Sequence, residues 1–536
     1  MGLIGSTADH GRDRPRSTAL SDRNRLIAIA APVAAAVAAV VLISRPEATS
    51  GALRAATPLL LLFSLLFGVL VIRFSAVGTA VLVAFIYLDL SEALVRYHFP
   101  SLLQLLVVAL VFAAWLKRDT APVSEILLHP LTMAMAAWLL IGFVSTAWAA
   151  DRDVADRRAE ELLKAFVLYL LLTALMRNRH RLMQGVAALL ASAALLGALV
   201  MWQFVTGDRT QEFGGLVRYE EAQIYGDVTE ARLSGPVGDP NLFAQVLLIV
   251  LPIAVLLGFS VKDRRKRIAI IALACVVLLT IALTYSRGAM LAVAVMAVMM
   301  IRPWSAAARR RSASGSLLPP SSADRTAQQA APSLSGSKLP HSVSLLFVGL
   351  LALLVIAMMP AGVTKRFLTV GEILPGADDS IRGDSSIAER RIYMAVAAAM
   401  FSRHPLQGVG LGNFPVEYDE YVGEVGSSAR IYPRTRPTRY PHNLYLEIAA
   451  ETGIIGLFAF TVVIVAAWSG LRRAERTFVS TGDEELAHVA TALRIALAGF
   501  LVASLFLHLA LARYLFLLFA FASSASRIGR EARMVA

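Results

Sequence analysis

Apolar runs of roughly 17 to 25 residues recur along almost the whole chain, each long enough to cross a hydrocarbon core of about 30 Å as a helix. No other feature restricts the fold as strongly. Backbone inside lipid must satisfy its own hydrogen bonds, which only helices and closed barrels do. Spans are expected at 26–44, 56–72, 76–90, 101–116, 131–149, 162–176 and 182–204. A second set follows at 242–259, 268–284, 289–301, 343–359, 454–468, 490–507 and 511–521. The expected fold class is an all-α polytopic membrane protein of about 12 to 14 transmembrane helices with one large ordered outer loop. Composition agrees, since 57% of the 536 residues are hydrophobic and only 17% charged, far from the soluble range.

The formal charge of +13 would suit nucleic acid if the cations formed a stripe with interleaved aromatics, and they do not. They lie instead in short segments flanking apolar runs, where Lys and Arg favour the cytoplasmic side. Clusters at Arg12 to Arg25, Lys117 and Arg118, Arg177 to Arg181, Lys262 to Arg267, Arg309 to Arg311, Arg472 to Arg476 and Arg527 to Arg533 all fall on one face. Both ends of the chain are then cytoplasmic. Cys275 is the single cysteine, which leaves neither a disulfide frame nor a thiolate metal site. The polar stretch up to Arg25 precedes an Ala-rich span followed by many more, unlike a cleaved signal.

The chain therefore divides into a cytoplasmic tail (1–25), a transmembrane block (26–301) with a short outer segment (207–240), and a cytoplasmic loop (302–342). That loop is rich in Ser, Ala, Pro and Arg and is expected to be disordered. A further span (343–359), an ordered outer loop expected to carry the chemistry (360–452), the C-terminal spans (453–523) and a cytoplasmic tail (524–536) complete it.

Three constellations could carry chemistry. The first, RLSGPVGDPNLFA from Arg232, opens a span: Pro240 suits the first helical turn, Asp239 its cap, and the free N–H groups beside Arg232 suit an anion. An ordinary helix start with a snorkelling arginine reads equally well. In the second, TYSRGAM, Arg287 falls between two apolar runs joined by almost nothing, so it must sit at the outer interface or face a wet cavity. The third lies in the outer loop, where Arg390, Arg391 and Tyr393 precede HPLQGVGLGNF and Arg430, Arg434, Arg436 and Arg439 lead to Tyr440, Pro441, His442 and Asn443. Guanidinium groups bind phosphate bidentately and keep their charge, so this density suits a pyrophosphate, although a solvated basic face has the same composition. The glycines form no nucleotide fingerprint because no βαβ unit flanks them.

His442 stands where the outer loop meets the next span, in PHNLYLEIAAETGIIGL. An imidazole there can take a proton near neutral pH, or cap the helix together with Asn443. Glu447 and Glu451 lie one turn apart below it and could orient the ring or face water. No HxH, HExxH or DxD pattern occurs in the outer segments, so metal-independent chemistry and no cofactor are expected.

In combination and order these motifs resemble the bacterial O-antigen ligase and O-antigen polymerase superfamily of membrane glycosyltransferases, over roughly residues 232–457. The resemblance implies a glycan donor on undecaprenyl pyrophosphate, an acceptor hydroxyl on lipid A core or another glycan, inversion at the sugar without metal, and a periplasm-facing site in the inner membrane. Arg232 and Arg287 match the arginines thought to hold the pyrophosphate, and His442 the histidine proposed as base. Arg391, Arg434, Arg436, Arg439, Tyr440, Asn443 and Asn241 are expected to bind substrate. Two more spans than a typical ligase and the insertion at 302–341 depart from the family and leave its branch open. A transporter would instead place charges near the bilayer midplane at broken helices in related halves, and no internal repeat is seen.

Overall fold

The computed structural model describes residues 75–92, 102–117, 120–225, 228–314, 385–425, 439–509 and 512–535. The tail 1–25, the spans expected at 26–44, 56–72 and 343–359, most of the cytoplasmic loop, and Arg430, Arg434 and Arg436 lie outside these residues.

Every span expected within the described residues falls on a helix: α1 (Ser75–Tyr87), α2 (Leu102–Lys117), α4 (Pro130–Ser145), α5 (Arg152–Leu175), α6 (Arg179–Thr206), α7 (Pro240–Ser260) and α8 (Arg264–Leu283). The series continues with α9 (Arg287–Ser314), α12 (Leu444–Ser480), α13 (Glu484–Ala503) and α14 (Ala512–Val535). A short α3 (Val123–Leu127) precedes α4, and α10 (Ser385–Arg403) and α11 (Phe414–Val425) precede α12. Six of the described helices are long and apolar enough to cross a membrane, so this is an all-α polytopic membrane protein. One departure is a two-stranded antiparallel hairpin, β1 (Tyr219–Tyr225) with β2 (Val228–Leu233), in the segment between α6 and α7.

Polar residues at the helix starts explain the boundaries. Asp151, Asn178, Asp239, Asp263, Asn443 and Asp483 each accept a backbone N–H of the first turn, supplying partners that a helix start otherwise lacks. Burial sorts the helices: α7 is buried over most of its length, whereas α4, α8 and α12 keep an outward apolar face. Leu140, Val144, Phe458 and Val465 on those faces are exposed, as suits side chains that meet lipid. Packed around α7 are α8, α13 and α9, while α12 packs against α4, α13 and α14.

One long helix is broken on purpose. Within α12, Gly453 has φ 64° and ψ −166°, a conformation essentially restricted to glycine, so the ladder stops and backbone groups are released. The loop 404–413 takes them up: Val409 N–H donates to the Ala450 carbonyl at 2.9 Å, Gly410 N–H to Glu451 at 2.9 Å, and Ile454 N–H to the Pro405 carbonyl at 2.8 Å. A broken helix persists only where its released backbone groups find such partners. A side chain on Gly408 would overlap the Glu451 backbone, and one on Gly410 would lie 2.7 Å from Ala149 Cα. The GVGLG run is thus a packing device that docks the 404–413 loop onto α12 and the α4–α5 junction.

Candidate active site

One end of the bundle gathers the chemistry. Arg232 comes from β2, opposite Glu220 in the hairpin register. Its guanidinium is buried; Nε donates to the Thr284 carbonyl and Nη2 to Asn241 Oδ1, both at 3.0 Å. Asn241 is itself held on the capped start of α7, its N–H donating to Asp239 Oδ1 at 2.7 Å. Two separate sequence motifs therefore meet through one arginine. Burial lowers the Arg232 pKa to about 10, opposed by Asp239 and reinforced by Arg390 and Arg287, which places those two guanidinium groups within electrostatic reach of Arg232.

The turn before α9 presents Arg287. Tyr285 occupies the left-handed region at φ 55°, and Arg287 is buried at the helix start. Gly288 is needed for close approach, since a Cβ there would lie 2.8 Å from the Phe506 ring. That contact brings the segment joining α13 and α14 against the arginines.

His442 also lies in the left-handed region, at φ 48°, where a non-glycine residue is uncommon and worth notice. Its ring stacks on Tyr393 at 6.1 Å and meets His508 edge-on at 5.4 Å. His508 in turn stacks on Tyr440 with the rings 4.2 Å apart and 6° from parallel. Burial, followed by repulsion from His442, Arg158 and Arg390, pushes the His508 pKa well below its ordinary value. Arg390 is therefore shared electrostatically by the arginine group around Arg232 and the imidazole group around His442.

Beneath the histidines lies a polar anchor. Glu447 is buried and accepts from Leu509 N–H at 2.7 Å and from Arg158 Nη2 at 3.4 Å. Glu451, also buried, lies 3.5 Å from the Phe414 N–H that donates to it. Neither carboxylate faces water. Asn413, wholly buried, exchanges hydrogen bonds with the Asp151 backbone at 2.8 and 3.1 Å. These contacts tie α5, the glycine loop, α12 and the 504–509 segment into one rigid floor.

The other expected binding residues take different places. Arg439 is bound to Asp419 at 2.7 Å and lies over the Tyr418 ring at 4.5 Å. Tyr440 belongs to the histidine cluster. Asn443 caps α12, accepting from Tyr445 and Leu446 N–H, and its amide donates to the Leu505 carbonyl at 3.1 Å, so its polar atoms serve the fold. Asn241 orients Arg232. Arg391 is half-buried on α10, next to Arg390, whose charge acts on Arg232 and His508. Arg434 and Arg436 lie outside the described residues. Sequence reasoning missed Arg158 and His508. A signal existed for His508, an imidazole between two apolar runs, which inside a membrane protein marks a functional position; Arg158 sits in an ordinary charged helix start.

Residues 270–461 match the family model described as O-antigen ligase. That segment carries an O-antigen ligase domain, which supports membership of the O-antigen ligase and polymerase superfamily. The matched segment contains Arg287, Arg390, the glycine loop, His442 and the break at Gly453, while Arg232, Arg158 and His508 lie outside it and pack onto it. No curated protein matches the chain. The O-antigen ligase family is of the membrane glycosyltransferase type and implies glycan-linked lipid substrates in general, and together with the apolar helices it indicates a multi-pass membrane protein. Among the described residues, no three His, Cys, Asp or Glu side chains converge as metal ligands would.

Proposed function

We propose that this O-antigen ligase superfamily member transfers a glycan from undecaprenyl pyrophosphate to an acceptor hydroxyl on lipid A core, at the periplasmic face of the inner membrane and without a metal ion. The observation that carries the reading is the meeting of Arg232, Arg287 and Arg390 beside the cluster of His442, His508, Tyr440 and Tyr393. His442 takes the proton of the acceptor hydroxyl as its oxygen attacks the anomeric carbon. The bond from that carbon to the pyrophosphate oxygen breaks on the opposite side, a glycosidic bond forms with inversion, and the pyrophosphate leaves with its electron pair. Arg232 and Arg287 meet that departing charge. Fixed cations in a water-poor site stabilise developing negative charge without reorganising, which is the part a metal ion plays elsewhere.

Polymerisation, with the acceptor hydroxyl on a second donor molecule, uses the same groups and differs in the acceptor alone. Reconstituted protein, chelator and a lipid-pyrophosphate glycan, offered lipid A core and a second donor in separate reactions, distinguish the two. Product on lipid A core is expected. Chain growth on the second donor instead would make the enzyme a polymerase, and absence of undecaprenyl pyrophosphate release with either acceptor would overturn the proposal.

A further inference from the structure

At the opposite end of the bundle, buried donors face cations. His129 caps α4: its Nδ1 accepts Leu131 N–H at 3.3 Å, so in the neutral ring the proton sits on Nε2. Only 3% of His129 is exposed, and Nε2 meets no hydrogen-bond partner among the described residues. The charged groups acting on this ring are Arg530, Arg527 and Arg473. They reach it from α14 and α12, which both pack on α4. Arg527 is 3% exposed; its two terminal nitrogens bind the Met176 and Arg177 carbonyls and Glu531, yet its Nε also lacks an acceptor among the described residues. Glu531 and Glu125 are the acids near these arginines, and neither reaches the two idle donors.

A buried N–H without an acceptor costs about 1 to 3 kcal/mol, and two of them beside three guanidinium groups form an environment that an anion completes. We propose that His129, Arg473, Arg527 and Arg530 form a phosphate-binding site between α4, α12 and α14, with His129 Nε2–H and Arg527 Nε–H as the inner donors. The ligand class is a phosphate ester or inorganic phosphate. By the basic-residue pattern this end faces the cytoplasm, where anionic phospholipid headgroups supply such a group.

The test uses the full-length protein in a neutral detergent, with thermal unfolding and native mass spectrometry as readouts. Phosphatidylglycerol, phosphatidylcholine and inorganic phosphate are added separately to the wild type, R473Q, R530Q and His129→Asn, the last keeping a helix cap while removing the inner donor. Phosphatidylglycerol is expected to bind and raise the melting temperature of the wild type, with affinity about fivefold weaker for each exposed arginine removed. Stabilisation by inorganic phosphate, equal to that by phosphatidylglycerol and lost in the variants, would also support the site and identify a free anion as its ligand. Equal response to phosphatidylcholine, or binding unchanged in all three variants, would overturn it.

Discussion

Arg232 and Arg179 hold opposite ends of the same bundle and use the same side chain differently. Arg179 is half-exposed and pairs with Asp483 at 2.9 Å and with Glu485, so its charge is largely cancelled where it stands. Arg232 is buried, and its hydrogen bonds run to the neutral oxygens of Thr284 and Asn241, which aim the guanidinium without neutralising it. Asp239 and Glu220 offset it through space while Arg287 and Arg390 oppose them. The difference teaches how one basic chain uses arginine in two ways: a paired surface arginine has its charge cancelled where it stands, and a buried one fixed by neutral acceptors keeps its charge for an incoming anion.

The largest expected effect follows from that contrast. R232Q or R287Q should lower turnover of a lipid-pyrophosphate glycan by on the order of 10²- to 10³-fold, the usual cost of one preorganised charge-stabilising group, while R179Q stays near wild type. Release of undecaprenyl pyrophosphate by equal amounts of inserted protein is the measurement. Equal loss in R179Q and R232Q would erase the distinction between the ends.

The ends also differ in what their glycines do. Gly453, at the site end, has a backbone that a side chain cannot adopt comfortably, and a Cβ there would overlap the Leu406 carbonyl. Gly482, in the turn between α12 and α13, has φ 79° with nothing within 4 Å of an added Cβ. Gly453→Ala should therefore cost strain of about 1 to 3 kcal/mol plus the displacement of the glycine loop, whereas Gly482→Ala should cost only about 1 to 2 kcal/mol. Melting temperatures of the two purified variants give the comparison, and a smaller loss in Gly453→Ala would mean that the loop is not clamped as described.

Some of this was legible in the sequence and some was not, for physical reasons. Spans show themselves because lipid demands long apolar runs, and the caps at Asp239 and Asn443 because a helix start needs an acceptor. Arg232, Arg287 and His442 stand out because charge beside apolar sequence is costly and hence rare. The role of GVGLG does not show, since its partners are carbonyls freed by a break forty-odd residues later in the chain, and a glycine run reads the same whether it binds a ligand or packs a loop. The place of Arg390 near Arg232 needed the rotation of α10, and Arg158 needed the fold to bring α5 under α12.

Each end also buries a neutral histidine. His508 lies well below its ordinary pKa through burial, and His129 is lowered to about 3, again chiefly by burial. Below about pH 6.5 the unfolded chain takes up protons on these rings that the folded protein refuses, so stability falls with falling pH, by up to about 1.4 kcal/mol per unit for each ring. The melting temperature should drop between pH 7.5 and 5.5, and H508F, which keeps a ring against Tyr440, should flatten that profile. An unchanged slope in H508F would assign the pH dependence elsewhere.

The smallest effect separates fastening from its appearance. Arg179 is 50% exposed and its partners Asp483 and Glu485 are 27% and 42% exposed, so solvent screens the pair and its side chains lose freedom to form it. R179Q should cost less than about 1 kcal/mol, and its loss should shrink further in high salt because the charges are accessible to ions. Unfolding of wild type and R179Q in low and high salt measures both quantities. A loss of several kcal/mol, insensitive to salt, would show that this end is held by its ion pairs; a small salt-sensitive loss leaves apolar packing of α12, α13 and α14 as the fastening and the surface arginine as a guide to topology.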